Sequence, residues 1–186
     1  MTWLTRLDFS VLYWIQKTMR CTVLDYFMPK ITFLGDAGLI WLLLTVVLLF
    51  LPKHRRTGIL LLTGLAFGAL VGNLALKPLF FRARPCWLDP TVRLLISVPR
   101  DYSFPSGHTI ASFEFATVLF LRERKAGIIA LVAAVLISFS RMYLYLHFPS
   151  DVFTSVVLGI LFGILGVVIV NALWKRFAGD EKKAEL

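Results

Sequence analysis

The chain has 186 residues, 58% of them hydrophobic and 17% charged, and its mean hydropathy is +0.78. Soluble domains are nearer half apolar and a quarter charged, so this composition excludes an ordinary soluble domain and indicates a protein that spans the membrane several times. The formal net charge of +9 is spread between apolar blocks and forms no basic tail, which argues against nucleic acid as a partner.

Residues 3–20 predict an amphipathic helix within an N-terminal segment, 1–30. Its apolar positions share one helical face: Leu4, Leu7, Val11, Trp14 or Ile15, and Met19. This pattern favours a helix that lies in the membrane interface. The alternative is a first transmembrane span of unusual polarity, which would give six spans in all.

Five apolar blocks follow, each about as long as a bilayer is thick. They cover 31–51, 57–77, 104–121, 126–146 and 151–174. None shows the alternation of a strand, so the predicted fold is an all-α membrane bundle of about five transmembrane helices. Residues 31–174 form its predicted core, with Asp36 at the outer end of the first span, and 175–186 form a charged cytoplasmic tail. The oligomeric state is left open.

Basic residues at the ends of the blocks predict the orientation. Lys and Arg divide ten to ten between the two sides, so their number alone decides nothing. The clusters KHRR (53–56) and RERK (122–125) have no neighbours that suggest chemistry, and we assign them to the cytoplasm. The opposite side, which is rich in reactive residue types, then faces outward together with the N-terminal helix.

Three segments on that outer side carry most of the ionisable residues: KPLFFRARP (77–85), PSGH (105–108) and SRMYLYLHFPSD (140–151). Taken singly, each has a structural explanation, such as cations that reach the headgroups or a serine that caps a helix. Ionisable groups at membrane depth are costly, however, and all three segments end at the same face of the bundle. Together they predict a functional site.

The residue types in these segments fit a phosphate. Lys77, Arg84 and Arg141 supply positive charge, and guanidinium groups bind phosphate oxygens in pairs. Residues 106–108 form the first turn of a helix, where free N–H groups and the helix dipole favour an anion. Gly107 allows the backbone to approach that anion closely.

Two histidines and a carboxylate complete a phosphoryl-transfer set. His147 is a candidate nucleophile, Asp151 can hold its other ring nitrogen, and His108 can protonate the leaving oxygen. Arg141 and His147 are about 240° apart around a helix, so the helix must break near Phe148 if both are to reach one phosphate. The proline that follows supplies such a break.

The order K-x6-RP, PSGH and SR-x5-H-x3-D resembles the signature of the type-2 phosphatidic acid phosphatase superfamily, the integral-membrane lipid phosphate phosphatases related to vanadium haloperoxidases. The residues that match are Lys77, Arg84, Pro85, Pro105, Ser106, Gly107, His108, Ser140, Arg141, His147 and Asp151. The resemblance implies dephosphorylation without a metal or cofactor, through a phosphohistidine on His147. It assigns His108 as the acid, and it assigns the phosphate cradle to Lys77, Arg84, Ser106, Gly107 and Arg141.

The short chain and the stretch ITFLGDAG also resemble small bacterial members, many of them undecaprenyl diphosphate phosphatases of the cell envelope. This resemblance implies conversion of undecaprenyl diphosphate to undecaprenyl phosphate in a bacterial inner membrane, and the orientation predicted from the basic clusters puts the site at its outer face. Phosphatidylglycerophosphate, phosphatidate and lipid A phosphate are alternative substrates, because each presents an anion at the same depth.

Other classes of protein explain the pattern less well. An intramembrane serine hydrolase that uses Ser106 would not need three cations, and an anionic lipid transporter would usually show a repeat. A metal site built from His108, His147 and Asp151 would be opposed by the neighbouring cations. The lipid phosphatase therefore remains the leading hypothesis.

A few polar residues lie outside the three segments. Asn73 stands one turn before Lys77 and either orients it or is satisfied within the bundle. Glu114 is expected to hydrogen-bond a neighbouring span. Cys21 and Cys86 lack the spacing of a metal site and are expected to be isolated thiols, with pairing left open.

Overall fold

The computed structural model describes residues 2–184, with side chains for 2–36 and 38–176, and this part of the chain is helical with no strand. The helices are α1 (Trp3–Thr18), α2 (Thr22–Leu34), α3 (Leu39–Phe50), α4 (Arg55–Phe67), α5 (Lys77–Phe80), α6 (Pro85–Leu88), α7 (Gly107–Arg122), α8 (Arg124–Tyr143) and α9 (Pro149–Ala184). The all-α prediction is confirmed. The last part of the predicted tail, residues 185–186, lies outside the described residues, as does Met1.

The predicted N-terminal helix is confirmed as α1, which begins where the Thr2 hydroxyl accepts a hydrogen bond from the Thr5 N–H at 3.2 Å. The apolar face identified from the sequence is largely exposed, as expected of a surface that meets lipid. A second face, with Phe9 and Leu12, is buried against the loop between α8 and α9. Helix α1 therefore docks on the bundle as well as presenting apolar side chains outward.

Among the described residues, three segments have the length and hydropathy of a membrane span: Arg55–Leu88, Arg124–Tyr143 and Pro149–Arg176. The predicted span at 31–51 is instead part of a bent pair, α2 and α3, whose axes differ by 45°. The bend follows a short turn at Asp36–Gly38, where Gly38 adopts a φ of +66° that favours glycine. Helix α7 has only 16 residues. The number of five spans therefore stays a prediction.

Between α4 and α5 the chain forms a π-helical stretch, Gly68–Leu76, that leads directly into Lys77. A π-helix places more residues in each turn than an α-helix, and such stretches are frequent at functional sites. Gly68 and Gly72 lie against Ile110 of α7, where any side chain on either glycine would collide. The stretch thus brings Asn73 close to the first turn of α7.

Helix α7 stands at the centre of the bundle, packed against α8, α9 and α4. The hydrophobic core around it contains buried side chains from five helices, namely Trp41, Leu60, Leu61, Phe113, Phe115, Ala116, Val118, Ala134 and Ile137, with Val170. Because α7 is enclosed on several sides, its first turn is held firmly where the three sequence segments meet.

The chain breaks between α8 and α9, as the sequence predicted, but the break begins at Leu144 rather than near Phe148. Tyr145 adopts a φ of +62°, and the Leu146 and His147 N–H groups bond back to the Arg141 carbonyl at 3.0 and 3.3 Å. This turn reverses the chain so that Arg141 and His147 face the same region.

Candidate active site

A cavity of about 970 Å³ has a polar part and an apolar part. Its polar end is lined by Asn73, Lys77, Arg84, Asp101, Gly107, His108, Arg141 and His147. Its apolar part is lined by side chains that are mostly exposed on the surface of the bundle, and these include Leu42, Leu62, Leu65, Ala66, Ala69 and Ile110. One end therefore suits an anion and the other a hydrocarbon chain.

His147 lies in the loop that ends α8 and is 1% exposed. Its Nε2 is 2.9 Å from Arg84 Nη1. Because a guanidinium can only donate, Nε2 must accept, and the neutral ring carries its proton on Nδ1. Burial, followed by the charges of Arg84 and Arg141, holds the pKa of His147 well below its usual range. The ring is therefore neutral at neutral pH, with a lone pair available for attack.

Asp151, in the first turn of α9, is fully buried and its Oδ2 lies 3.9 Å from His147 Nδ1. That distance exceeds a hydrogen bond, so the expected hold on the ring stays a prediction. The carboxylate instead accepts hydrogen bonds from the Ser103 hydroxyl at 2.5 Å and the Phe148 N–H at 3.0 Å, and it pairs with Arg82.

Arg84 is buried and fixed from several directions. Its Nη1 donates to the Leu146 carbonyl at 2.9 Å, and its Nε donates to the Asp101 carbonyl at 2.8 Å. Its Nη2 bonds the Asp101 carboxylate at 2.8 Å, and Lys77 pairs with the same carboxylate. Burial alone would raise the pKa of Asp101, but Lys77 and Arg84 lower it to about 2. Pro85 follows Arg84 and opens the short helix α6.

Ser106 caps the start of α7, with the Phe104–Pro105 peptide before it. The buried Ser106 N–H donates to Ser155 Oγ of α9 at 2.8 Å, so the cap is tied to the helix that carries Asp151. The N–H groups of the next residues have no partner inside their own helix, which is the arrangement expected of an anion site.

Gly107 fits a gap that admits no larger residue, because a Cβ there would lie 2.8 Å from Asn73 Oδ1. The Asn73 side chain therefore lies against the first turn of α7. Among the described residues, no hydrogen bond joins Asn73 to Lys77. Asn73 borders the cavity without orienting the lysine directly.

Arg141 and His108 meet on the other side of the cavity. Arg141 is buried and donates to Thr32 Oγ1 at 2.6 Å, and its Nη1 lies 3.4 Å from His108 Nε2. His108 Nε2 is 2.8 Å from Asp36 Oδ1. Ser140, just before Arg141, bonds the Ile137 carbonyl within its own helix at 2.6 Å, which is a structural role.

The structure thus brings most of the predicted catalytic and phosphate-binding residues to one cavity, whereas Ser106 and Asp151 are buried behind its lining, and it adds carboxylates that the sequence did not assign. Asp36, expected only to mark the end of a span, contacts His108, and Asp101 joins Lys77 to Arg84. Both carboxylates are near a glycine or a proline in the sequence, which suggests the end of a helix. That pattern does not indicate which residue each carboxylate contacts. Pairing was therefore not predictable from the sequence.

The expected hydrogen bond from Glu114 to a neighbouring span stays a prediction. Both of its side-chain oxygens are buried and have no hydrogen-bond partner among the described residues. The carboxyl lies against Gly68 of the π-helical stretch, and glycine has no side chain that could form a hydrogen bond with it. Glu114 also lines the cavity, below the histidines.

The two cysteines are free thiols, as expected, with Cys21 exposed and Cys86 buried. Within the described part of the chain, no group of three or more His, Cys, Asp or Glu side chains is arranged to hold a metal ion.

Residues 57–175 match the sequence model of the PAP2 superfamily. The chain is 34% identical to an undecaprenyl-diphosphatase of Sulfolobus acidocaldarius over 132 residues, which are 70% of this chain and 63% of that protein. The fold is similar to the crystal structure of Aquifex aeolicus LpxE, with a TM-score of 0.76 at 31% identity over 87% of this chain and 94% of that one. It is also similar to a PAP2-type phosphatidylglycerolphosphate phosphatase from Bacillus subtilis, with a TM-score of 0.75 at 26% identity over 92% and 88% of the two chains.

Proposed function

The chain belongs to the PAP2 superfamily, and from that premise we propose that it is an integral-membrane lipid phosphatase that works through a phosphohistidine. The observation that carries the proposal is the position of His147. Its accepting nitrogen lies 2.9 Å from Arg84, at the polar end of a cavity whose other end is apolar. A lipid phosphate matches both ends of that cavity.

In the first half of the reaction the phosphate sits among Lys77, Arg84, Arg141 and the first turn of α7. His147 Nε2 attacks phosphorus, a P–N bond forms, and the P–O bond to the lipid breaks. His108 gives its Nε2 proton to the departing lipid oxygen. The fixed cations stabilise the charge that develops on the phosphoryl oxygens, so the step requires no metal.

In the second half water attacks the phosphohistidine and the P–N bond breaks. His108, now without its proton, takes one from the water, and inorganic phosphate leaves. Asp151 favours the cationic phosphohistidine if its 3.9 Å distance to His147 Nδ1 shortens to a hydrogen bond. Such contacts are often long in a free enzyme and tighten when substrate is bound.

Undecaprenyl diphosphate is the first candidate substrate, with undecaprenyl phosphate as the product. The similarity to an undecaprenyl-diphosphatase supports it, although this chain spans just under two thirds of that protein. Phosphatidylglycerophosphate, phosphatidate and lipid A phosphate are the alternatives. The apolar part of the cavity would receive the hydrocarbon of any of these lipids.

The site is proposed to face the outside of a bacterial inner membrane. The contact between His54 Nδ1 and Glu123 Oε1, at 2.8 Å, brings the two basic clusters together, and neither residue lines the cavity. Basic clusters favour the cytoplasmic side. A phosphatase with this orientation would act on lipids presented at the outer leaflet.

The serine-hydrolase alternative loses support at Ser106. Its side chain is fully buried, and its oxygen accepts a hydrogen bond from Thr109 at 3.0 Å. A nucleophilic serine would need a histidine in that position. A transporter for anionic lipids would bind phosphate but would release none, so the assay below distinguishes it.

The experiment uses the purified full chain in detergent with the four lipid substrates named above and measures released phosphate. We expect turnover that persists in excess chelator and is inhibited by vanadate, and we expect His147→Ala to abolish turnover of every substrate. Phosphate release that stops with chelator and returns with a divalent ion would contradict the mechanism, as would substantial turnover by His147→Ala.

His108→Ala provides the second arm of that experiment. A lipid alcohol leaves as a strong base and needs a proton, whereas a lipid diphosphate expels a weakly basic lipid phosphate. The ratio of mutant to wild-type turnover should therefore be smallest for phosphatidate and larger for undecaprenyl diphosphate. Equal losses for both substrates would show that His108 binds phosphate without acting as the acid.

A further inference from the structure

A chain of ion pairs joins the N-terminal helix to the loop of His147. Asp8 of α1 is only 2% exposed, and its carboxylate accepts a hydrogen bond from Arg82 Nη2 at 2.7 Å. It also accepts from the N–H and the hydroxyl of Ser150, at 2.9 and 2.6 Å. A buried carboxylate with this many donors is held in one position, and it belongs to none of the three sequence segments.

Arg82 extends this chain to the site. It pairs with Asp151 through Nη1, which also donates to Ser150 Oγ at 2.8 Å, and its guanidinium carbon lies 4.4 Å from the centroid of the Phe148 ring. The planar, forked guanidinium can serve two carboxylates and an aromatic face at once, which an ammonium group cannot do in the same geometry.

Asp151 is the last member of the chain and stands next to the nucleophile. Arg82, Ser103 and the Phe148 N–H fix its carboxylate, and His147 Nδ1 lies 3.9 Å away without a hydrogen-bond partner. A small movement of Asp151 therefore decides whether the ring gains a hydrogen bond. Ser103 and the Phe148 N–H bond the oxygen that faces His147, Oδ2, and Arg82 holds the other oxygen, Oδ1.

We infer that Asp8 and Arg82 are positioning residues for the nucleophile, an inference that rests on the proposed phosphohistidine mechanism. Because Arg82 also pairs with Asp8, its attraction for the Asp151 carboxylate is weaker than it would be in an isolated ion pair. Its carboxylate then remains able to accept the Nδ1 proton when attack makes His147 cationic. The N-terminal helix is thus part of the catalytic apparatus and not only a docked surface helix.

A simpler explanation is that α1 only stabilises the His147 loop by packing against it. A second carboxylate, Asp89, provides a matched control for this explanation. Tyr13 of α1 donates to Asp89 at 2.9 Å, and Tyr145 of the His147 loop donates to the same carboxylate oxygen at 3.0 Å. Asp89 therefore ties the same helix to the same loop. Among the described residues, the only other hydrogen bonds to its carboxylate come from Thr91, and none joins it to Asp151.

The test compares Asp8→Asn with Asp89→Asn in the purified full chain. Activity is measured on undecaprenyl diphosphate or phosphatidate, whichever the wild type hydrolyses faster. For Asp8→Asn we expect kcat to fall roughly 10- to 100-fold with KM nearly unchanged, because a displaced reacting group costs rate and not binding. Asp8→Glu should recover part of the loss, and Asp89→Asn should retain most of the wild-type kcat.

Two inhibitors separate positioning from general damage. Vanadate gains a bond from the histidine, whereas inorganic phosphate is held by the cradle alone. For Asp8→Asn the inhibition constant of vanadate should therefore rise by a factor similar to the loss in kcat, while that of phosphate stays constant. If Asp8→Asn does not fold, Arg82→Lys provides the same comparison, because lysine keeps the charge but cannot hold both carboxylates in this geometry.

Equal losses in Asp8→Asn and Asp89→Asn would overturn the inference, and so would parallel weakening of vanadate and phosphate or an unchanged kcat. None of these results would affect the proposed function, because each is measured against an active wild type. A wild type that releases no phosphate from any lipid in the panel would instead overturn the proposed function itself.

Discussion

Asp101 contributes the negative charge that balances the phosphate cradle before substrate arrives. Its carboxylate contacts Lys77 and bonds Arg84 at 2.8 Å, which are two of the groups that a phosphate would need. Because these cations hold the pKa of Asp101 at about 2, it is ionised throughout the neutral range and is not removed by a modest change of pH. An arriving phosphate must therefore compete with it.

Asp101→Asn should tighten phosphate binding. Asp101 is about half exposed, so its ion pairs contribute about 1 kcal/mol, which corresponds to a roughly fivefold lower inhibition constant for inorganic phosphate. The measurement is competitive inhibition at constant pH. Asp89→Asn is the control, since Asp89 lies in the same loop and contacts no cradle residue. Weaker phosphate binding in Asp101→Asn would mean that Asp101 holds the cations in place for the substrate.

At the scale of helices, the contact between α9 and α7 aligns the site. Gly159 and Gly163 of α9 are one turn apart, and a Cβ on them would lie 2.7 Å from the Ile110 carbonyl and 3.0 Å from the Glu114 carbonyl. Small residues at this spacing let two helices approach closely in a membrane. The close contact brings Ser155 of α9 to the Ser106 N–H, and so aligns the start of α7 with the turn that carries Asp151.

Gly159→Ala should separate the two helices. We expect it to lower stability by about 1–3 kcal/mol, because a side chain must enter a closed contact. The thermal midpoint in detergent measures this effect. Leu161→Ala is the control, since Leu161 is largely exposed on the outer side of α9. Activity should fall more than stability explains if the link from Ser155 to Ser106 is displaced. An unchanged midpoint would show that the contact can relax.

Helices and reactive residues could be predicted from the sequence because both depend on local patterns. The apolar blocks predicted that the chain is helical, and the motif spacings predicted that Arg84, His108 and His147 belong to the site. The partners of these residues could not be predicted, because tertiary packing alone brings them together. Asp8 and Ser150 are 142 residues apart in the chain, and Asp36 and His108 are 72 apart.

Local geometry accounts for the remaining differences. The bend between α2 and α3 depends on the left-handed conformation of Gly38, and the early end of α8 depends on that of Tyr145. Glycine in an apolar block suggests such a turn, but a tyrosine does not. The start of the loop before His147 was therefore misplaced by four residues, whereas its existence was predicted from Pro149.

At the scale of the whole molecule, charge is divided between the two ends of the bundle. The KHRR and RERK clusters contact each other through His54 and Glu123, and none of their residues lines the cavity. At the other end, four of the ten cations pair with a carboxylate, namely Arg20, Lys77, Arg82 and Arg84. Cations that are paired within a site add little to the topology signal, so we give more weight to the two basic clusters and propose that they face the cytoplasm.

Thiol labelling tests this orientation with the chain's own cysteines. Cys21 lies between α1 and α2 at the end that carries the site, is exposed, and is the residue that a membrane-impermeant thiol reagent should label in intact spheroplasts. Cys86 is buried and should react slowly from either side. In a Cys21→Ser background, a cysteine introduced as Lys53→Cys is exposed at the opposite end and should be labelled only after the membrane is permeabilised. Because the two positions report on opposite faces under one reagent, labelling of Lys53→Cys in sealed spheroplasts together with protection of Cys21 would reverse the orientation and place the site in the cytoplasm.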